Sequence, residues 1–198
     1  MNPSDIWNDR YSKKFYAYGK EANEFFKQEL SKLNPGGLLL PAEGEGRNAV
    51  YAVKQGWNVV AFDQSEKARE KAMALAEENG VELEYAVADA THYLCPVMVD
   101  ALCYCYFHLP AAQGEEVYAR LNGFLQNGGA LIFEAFSVKN IGMGSGGPQM
   151  ESMLFTEEKV RALFADFANV EVWEEKVTLK EGMYHDGEAW IIRARGRK

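Results

Sequence analysis

The sequence predicts an α/β protein built on a doubly wound, mostly parallel sheet of seven strands, with helices on both faces and an antiparallel hairpin at the C-terminal end. Short apolar runs alternate with helix-length segments through the first 136 residues, the alternation that parallel strands with right-handed crossovers require. A glycine-rich turn follows the first of these runs directly. Near the end, two strand-like runs are separated only by Glu181-Gly182, and strands joined so tightly pair antiparallel.

The elements follow in order. The first residues mix aromatic and charged side chains: Trp7, Tyr11, Phe15, Tyr16 and Tyr18. Glu21 to Leu33 places Ala22, Phe25, Phe26 and Leu30 at helical spacing, and Asn34-Pro35-Gly36-Gly37 ends that helix. Gly37 to Pro41 is too short for a helix and reads as a buried strand. Arg47 to Gln55 reads as a helix that starts at the glycine turn, with Gly56 near its C-cap. Trp57 to Phe62 is the second strand, and Ser65 caps a helix through Glu78 that Asn79-Gly80 closes. Val81 to Ala86 and Val97 to Phe107 are the third and fourth strands. Ala111 to Leu125 reads as a helix ended by Asn127-Gly128-Gly129, and Ala130 to Phe136 as the fifth strand. Asn140 to Pro148 is a glycine-rich loop, and Thr156 caps a helix to about Phe167. Val170 to Lys180 and Met183 to Arg195 form the final hairpin. The whole reads as one domain over residues 1–198, with residues 1–35 as an N-terminal cap segment and helix and residues 138–155 as a candidate lid loop.

Composition narrows the function classes. The formal charge is -8, from 21 basic and 29 acidic residues, and no Lys/Arg run is present. Binding to a nucleic-acid backbone needs a dense basic face, so no nucleic-acid partner is expected. Met1-Asn2-Pro3-Ser4-Asp5 lacks the basic start and apolar core of a secretory signal, and no apolar run reaches membrane-spanning length. Cys95, Cys103 and Cys105 form no CxxC pair, which suits a reducing cytoplasm. The histidines, His92, His108 and His185, show no metal-ligand spacing, so no metal is expected. Oligomeric state is not readable from the chain.

Leu38-Leu39-Leu40-Pro41-Ala42-Glu43-Gly44-Glu45-Gly46-Arg47-Asn48-Ala49 reads as a strand, a tight glycine turn and a helix start, and Asp63 follows 17 residues after Gly46 at the end of the next strand. Glycines let a backbone approach a ligand closely, and a helix N-terminus offers unpaired N–H donors. An acid at the second strand's end accepts hydrogen bonds from ribose hydroxyls. No Gly-Lys-Ser/Thr follows the turn, which disfavours a phosphate-cradling loop. The pattern therefore points to a cofactor that carries adenosine.

These features together resemble the class I S-adenosylmethionine-dependent methyltransferases, a Rossmann-like fold, and within them the small-molecule enzymes related to the tellurite-resistance and thiopurine S-methyltransferase groups. The resemblance runs through Trp7-Asn8-Asp9-Arg10-Tyr11, Tyr18-Gly19, the glycine turn, Ala61-Phe62-Asp63-Gln64-Ser65, Ala88-Asp89-Ala90, His108-Leu109-Pro110 and Leu125-Gln126-Asn127-Gly128-Gly129. It implies S-adenosyl-L-methionine as cofactor. Ala42, Gly44 and Gly46 would line its methionine part, Asp63 would hold its ribose hydroxyls, and Asp89 with Ala90 would lie at its adenine and Tyr106 at its sulfonium, with Glu43, Asn48 and Gln64 as further cofactor-binding candidates. Trp7, Tyr11 and Tyr18, flanked by polar residues, suit a cap over a flat ligand, with a place in the core as the alternative. Two positions depart from the family: Leu40 stands in place of the usual acid at the first strand's end, and Ala42 replaces the first glycine. Glu43 and Glu45 are the neighbouring carboxylates.

The implied activity is methyl transfer to a small acceptor, a thiol or chalcogen species among the candidates. His108 and Glu134, both near the carboxyl edge of the sheet, are the candidate proton-handling groups, each with a structural alternative: a turn-shaping imidazole and a paired acid. Three other readings stay open on sequence: an S-adenosylmethionine-binding module without catalysis, an NAD-dependent oxidoreductase, and a methyltransferase acting on a macromolecule.

Overall fold

The structure is a computed structural model that describes residues 3–198; Met1 and Asn2, part of the stretch read for a secretory signal, lie outside the described residues. The strands are β1 (Gly37–Pro41), β2 (Asn58–Asp63), β3 (Glu84–Val87), β4 (Val99–Cys105), β5 (Leu125–Phe136), β6 (Ala168–Lys180) and β7 (Asp186–Arg197). They form one sheet in the order β3-β2-β1-β4-β5-β7-β6. β1 pairs in parallel with β2 and β4, β2 with β3, and β4 with β5. β7 lies antiparallel between β5 and β6, as the closing hairpin predicts. The helices are α1 (Pro3–Tyr11), α2 (Glu24–Leu30), α3 (Arg47–Lys54), α4 (Glu66–Glu78), α5 (Ala111–Asn122) and α6 (Glu157–Leu163).

Alternation of side chains across the sheet explains why the central strands are apolar without interruption. Leu38 and Leu40 of β1 pack on one face with Phe25, Phe26, Ala61 and Cys103. Leu39 points to the other face, with Phe62, Leu102, Tyr104 and Phe133. All three leucines are fully buried. The chain reverses direction of winding between β1 and β4, and at that point the carboxyl ends of neighbouring strands open a crevice where α/β proteins bind ligands.

Several boundaries differ from the sequence reading. α1 was expected only as an aromatic segment; it is a helix held by docking on α4, where the Asn8 side-chain oxygen accepts from Ser65 Oγ at 2.7 Å. α2 starts at Glu24 because the Asn23 side chain caps it, accepting from the Phe26 N–H at 2.8 Å. α5 stops at Asn122, and Gly128-Gly129 lie within β5 rather than ending a helix. The β4–β5 register jumps there from Val99↔Leu125 to Ala101↔Ala130, a bulge that Gly128, at φ 80°, permits. β3 and β7 each begin three residues later than expected, because Val81 bonds back to Ala76 and His185 closes the hairpin turn to Glu181. α6 ends at Leu163, short of Phe167.

The glycine turn is packed as tightly as its sequence suggests. Gly46, at φ 86°, caps α3, and a Cβ there would sit 2.6 Å from the Ala72 Cβ and 2.8 Å from its Cα on α4. Left-handed backbone costs a side-chain-bearing residue about 1–2 kcal/mol, and the overlap adds about 1–3 kcal/mol. Gly46→Ala is therefore expected to lower the thermal midpoint by roughly 5–15 °C, measured by calorimetric unfolding; an unchanged midpoint contradicts this packing.

Candidate active site

The turn between β1 and α3 bends through three left-handed residues, Ala42 (φ 50°), Gly44 (φ 66°) and Gly46. Ala42 thus adopts the conformation for which the family uses glycine. Gly46 has no side chain to cap α3, and Glu43 supplies the missing acceptor, its carboxylate taking the Ala49 N–H at 2.7 Å. Leu40 lies in the core, so no acid occupies its position on β1, and Glu43 in the turn is buried. Burial pushes Glu43 up to about 7. Glu45 is committed elsewhere: it accepts from the Ala17 N–H at 2.6 Å and pairs with Lys71 at 2.6 Å.

Asp63 ends β2 opposite the turn. One carboxylate oxygen accepts from the Gly44 N–H at 3.1 Å and the other from the Ser65 N–H at 2.9 Å. Burial pushes it up to about 6, against the pull of those backbone donors. The structure therefore brings together the glycine turn and the distal acid that the sequence paired. Gln64 is half-buried beside it. The N-terminal aromatics close over this place: Trp7 stacks on Tyr11 at 5.5 Å, and a Cβ on Gly44 would meet the Tyr11 hydroxyl at 2.9 Å. Tyr18 is fixed by Arg10, whose guanidinium donates to its hydroxyl at 2.8 Å and lies over Trp7 and Tyr184.

Beyond β3, Asp89 accepts from the Thr91 N–H at 2.8 Å and its hydroxyl at 2.7 Å, and that backbone bond holds its carboxyl below the usual range. Ala90 is buried, and Tyr93 stacks on Phe62 with ring centroids 3.9 Å apart, giving a flat wall next to Asp89. Arg120 clamps this segment by donating to the Ala90 and Tyr93 carbonyls.

The crevice at the end of β4 holds Tyr106, whose φ of 53° is unusual for a bulky residue. Its N–H donates to the Glu134 carbonyl at 2.8 Å, and its buried hydroxyl has no hydrogen-bond partner among the described residues. The two residues singled out as candidate proton carriers sit near it but are engaged. The Phe136 N–H donates to His108 Nε2 at 3.3 Å, so Nδ1 carries the proton and donates to the Met153 carbonyl at 2.8 Å. Burial lowers His108 to about 4. This imidazole ties Met153, within residues 138–155, to the end of β5. Glu134 accepts from Asn23 Nδ2 at 2.6 Å with one oxygen and from Arg193 Nε at 2.6 Å with the other.

Asn23 and Asn48 belong to the same buried framework: Asn48 Oδ1 takes the Asn23 N–H at 2.9 Å, and Asn23 also donates to Glu181 at 2.9 Å. Arg47 completes it through a 2.8 Å ion pair with Glu181. Asn23, Arg47, Glu181, His185 and Arg193 were not identified as site residues in the sequence. Their partners lie more than a hundred positions apart in cases such as Asn23–Glu134 and Arg47–Glu181, so no local spacing signals them. The candidate lid is anchored rather than free. Asn140 is buried and donates to the Gly146 carbonyl at 2.9 Å, while Ser137 bridges to Phe155. Gly146 and Gly147 let the loop press on Tyr184, His185 and Phe136. Among the described residues no group of three or more His, Cys, Asp or Glu could hold a metal ion, and no helix is long and apolar enough to cross a membrane.

With this geometry in place, the comparisons with known proteins fall into line. A family model described as a methyltransferase domain matches residues 41–129, from the glycine turn to the bulge in β5. No curated protein sequence matches the chain. Among solved structures, the chain is similar to TehB from Haemophilus influenzae, with a TM-score of 0.71 and 15% identity, covering 98% of this chain and 66% of that one. It is equally similar, at 0.71 and 16%, to a protein whose structure concerns conversion of a disulfide bond into a thioacetal group during echinomycin biosynthesis, covering 98% and 92%. An S-adenosylmethionine-dependent methyltransferase from Clostridium acetobutylicum gives 0.65 and 14%, covering 98% and 96%. The fold is that of the class I S-adenosylmethionine-dependent methyltransferases. The matched model spans the glycine turn, Asp63, Asp89 and Tyr106, the residues that the sequence pattern assigns to a cofactor carrying adenosine.

The buried carboxyl of Glu43 gives the site a pH signature. Folding raises its pKa from 4.5 to about 7, so its contribution to stability is complete below about 4.5 and is lost as pH rises through 7. Glu43→Gln removes that ionisation. The variant's thermal midpoint should therefore gain on the wild type as pH goes from 5 to 8; a pH-independent difference contradicts a buried, neutral-leaning Glu43.

Proposed function

We propose that the chain transfers the S-adenosylmethionine methyl group to a small soft acceptor, a thiol or a related selenium or tellurium species. The observation that carries the cofactor placement is Asp63, buried at the carboxyl end of β2 and facing the left-handed glycine turn. The residues fit the cofactor. Its ribose hydroxyls suit the Asp63 carboxylate and Gln64, and its adenine the wall of Phe62 and Tyr93 beside Asp89 and Ala90. Its methionine part suits the turn from Ala42 to Gly46, and the unpartnered Tyr106 hydroxyl supplies a polar contact near the sulfonium. Trp7, Tyr11 and Tyr18 cover the site, and Tyr11 packs closely on Gly44. Residues 138–155 close the acceptor side.

Bound there, the cofactor supplies an electrophilic methyl group on a sulfonium. The protein's part is to align the acceptor opposite the departing sulfur and to exclude water, which accounts for much of the acceleration in such transfers. The aromatic rings of Tyr106, Phe136, Tyr18 and His185 make an apolar enclosure at the end of β4. His108 and Glu134 are held in structural bonds, and a soft nucleophile with an acidic proton asks less of a base than an oxygen or nitrogen acceptor does. The structural neighbour concerned with thioacetal formation supports a sulfur acceptor.

Incubation with S-adenosylmethionine and a panel of alkylthiols, tellurite, amines and carboxylates, read by mass spectrometry, tests the proposal. Methylated thiol or chalcogen products, with amines and carboxylates unchanged, are expected. Methylation of amines or carboxylates alone overturns the acceptor assignment.

A further inference from the structure

We propose that His185, on the turn between β6 and β7, is the residue that takes the acceptor's proton, and that Glu181 positions it. This rests on the reading of the chain as a methyltransferase for a protonated soft acceptor. Among the described residues, the buried side-chain atoms without a hydrogen-bond partner are Tyr106 Oη and His185 Nδ1. They belong to one place: the two rings lie 4.4 Å apart between centroids, with Tyr18 4.4 Å and Phe136 5.0 Å from the imidazole. A buried polar atom left unpaired is costly, and the Tyr106 hydroxyl, on a strained residue beside this imidazole, marks a place where a ligand completes the bonding.

The other proton carriers near this crevice are spent. Both nitrogens of His108 and both oxygens of Glu134 are in hydrogen bonds. His185 is not. Its Nδ1 faces Glu181 Oε2 at 3.6 Å, outside hydrogen-bond length but close enough for the charge to act. Glu181 is immobilised by Arg47 at 2.8 Å and Asn23 at 2.9 Å, and His185 and Arg47 hold its carboxyl down to about 2 despite burial. A fixed carboxylate beside Nδ1 favours the tautomer with its proton there and the lone pair on Nε2. Gly146 lets the loop reach the ring's other edge, since a Cβ there would lie 2.7 Å from His185 Cδ2.

The groups facing His185 are Glu181 and Arg47, Arg10 from α1, Tyr18, Tyr106 at the end of β4, and His108 more distantly. Burial outweighs Glu181 and holds the imidazole neutral, below its ordinary value, so it is a competent base at neutral pH. In the step, the thiol sulfur forms a bond to the methyl carbon as its S–H proton passes to His185 Nε2. The bond from that carbon to the sulfonium breaks, and its electron pair stays on the departing sulfur. The products are a thioether, S-adenosylhomocysteine and an imidazolium that releases its proton to water.

The test combines His185→Gln kinetics with nitrogen-15 NMR of the wild-type imidazoles, the His185 signals being assigned as those lost in the variant. At pH 7 the variant should lose about 100-fold in kcat with an alkylthiol, as removal of a general base does, while its calorimetric affinity for S-adenosylhomocysteine stays within twofold. Its kcat should then climb tenfold per pH unit toward the thiol's own pKa, whereas the wild type holds level down to below pH 6.5. NMR should show His185 neutral at pH 7 with its proton on Nδ1, before any cofactor is added. A variant with wild-type kcat and pH profile, or a wild-type imidazole protonated on Nε2 at pH 7, overturns the assignment. A wild type that binds S-adenosylhomocysteine but methylates no thiol or chalcogen overturns instead the acceptor reading on which it rests.

Discussion

The buried polar framework around Asn23 is the constraint on which the rest of this site depends. One side chain caps α2, donates to Glu134 on β5 and donates to Glu181 at the tip of the hairpin. Glu134 is balanced by Arg193 on β7, and Glu181 by Arg47 in the first turn of α3. Charges taken from water this way survive only if each finds its partners, and removing one member of such a pair costs about 3–5 kcal/mol. The network therefore fixes the glycine turn, the end of the sheet and the hairpin tip relative to one another. It also engages both carboxylate oxygens of Glu134 in hydrogen bonds.

Around that frame the carboxyl edge carries two kinds of acid. Glu43 and Asp63 are buried without a facing cation in direct contact, and burial raises both. Glu181 is half-buried beside His185 and Arg47, which hold its carboxyl down despite burial. The first pair belongs to the turn and the second strand's end, where hydroxyl and amino groups of a cofactor offer donors. The ionised group lies across the crevice at the hairpin tip, next to the imidazole. Separation of these environments divides the edge into a side at the glycine turn and a side at the hairpin tip.

Much of the fold was legible because its signals are local. Leu38 to Leu40 is buried on both faces of the sheet, and Ser65 caps α4 as its residue type suggests, accepting from the Ala68 N–H at 3.1 Å. Gly44, Gly46 and Asp63 come together because a strand, a turn and a parallel neighbour leave little freedom in where they meet. α1 escaped because its stability comes from docking on α4, not from its own pattern. Gly128-Gly129 misled because paired glycines serve a strand bulge as readily as a helix end. The site's interior escaped for a different reason: Asn23, Arg47, Glu181 and Arg193 are ordinary surface types by sequence, made functional only by partners distant in the chain. Position at the sheet edge drew attention to His108 and Glu134, but position does not reveal that both nitrogens of the one and both oxygens of the other are already hydrogen-bonded.

The central claim is that the glycine turn and Asp63 form one cofactor site. Calorimetric titration of the wild type and of Asp63→Ala with S-adenosylhomocysteine, and of the wild type with NAD, addresses it most directly. The account predicts binding on the order of micromolar for the wild type, lost in the variant and absent for NAD. Equal affinity in wild type and variant, or preference for NAD, would contradict it.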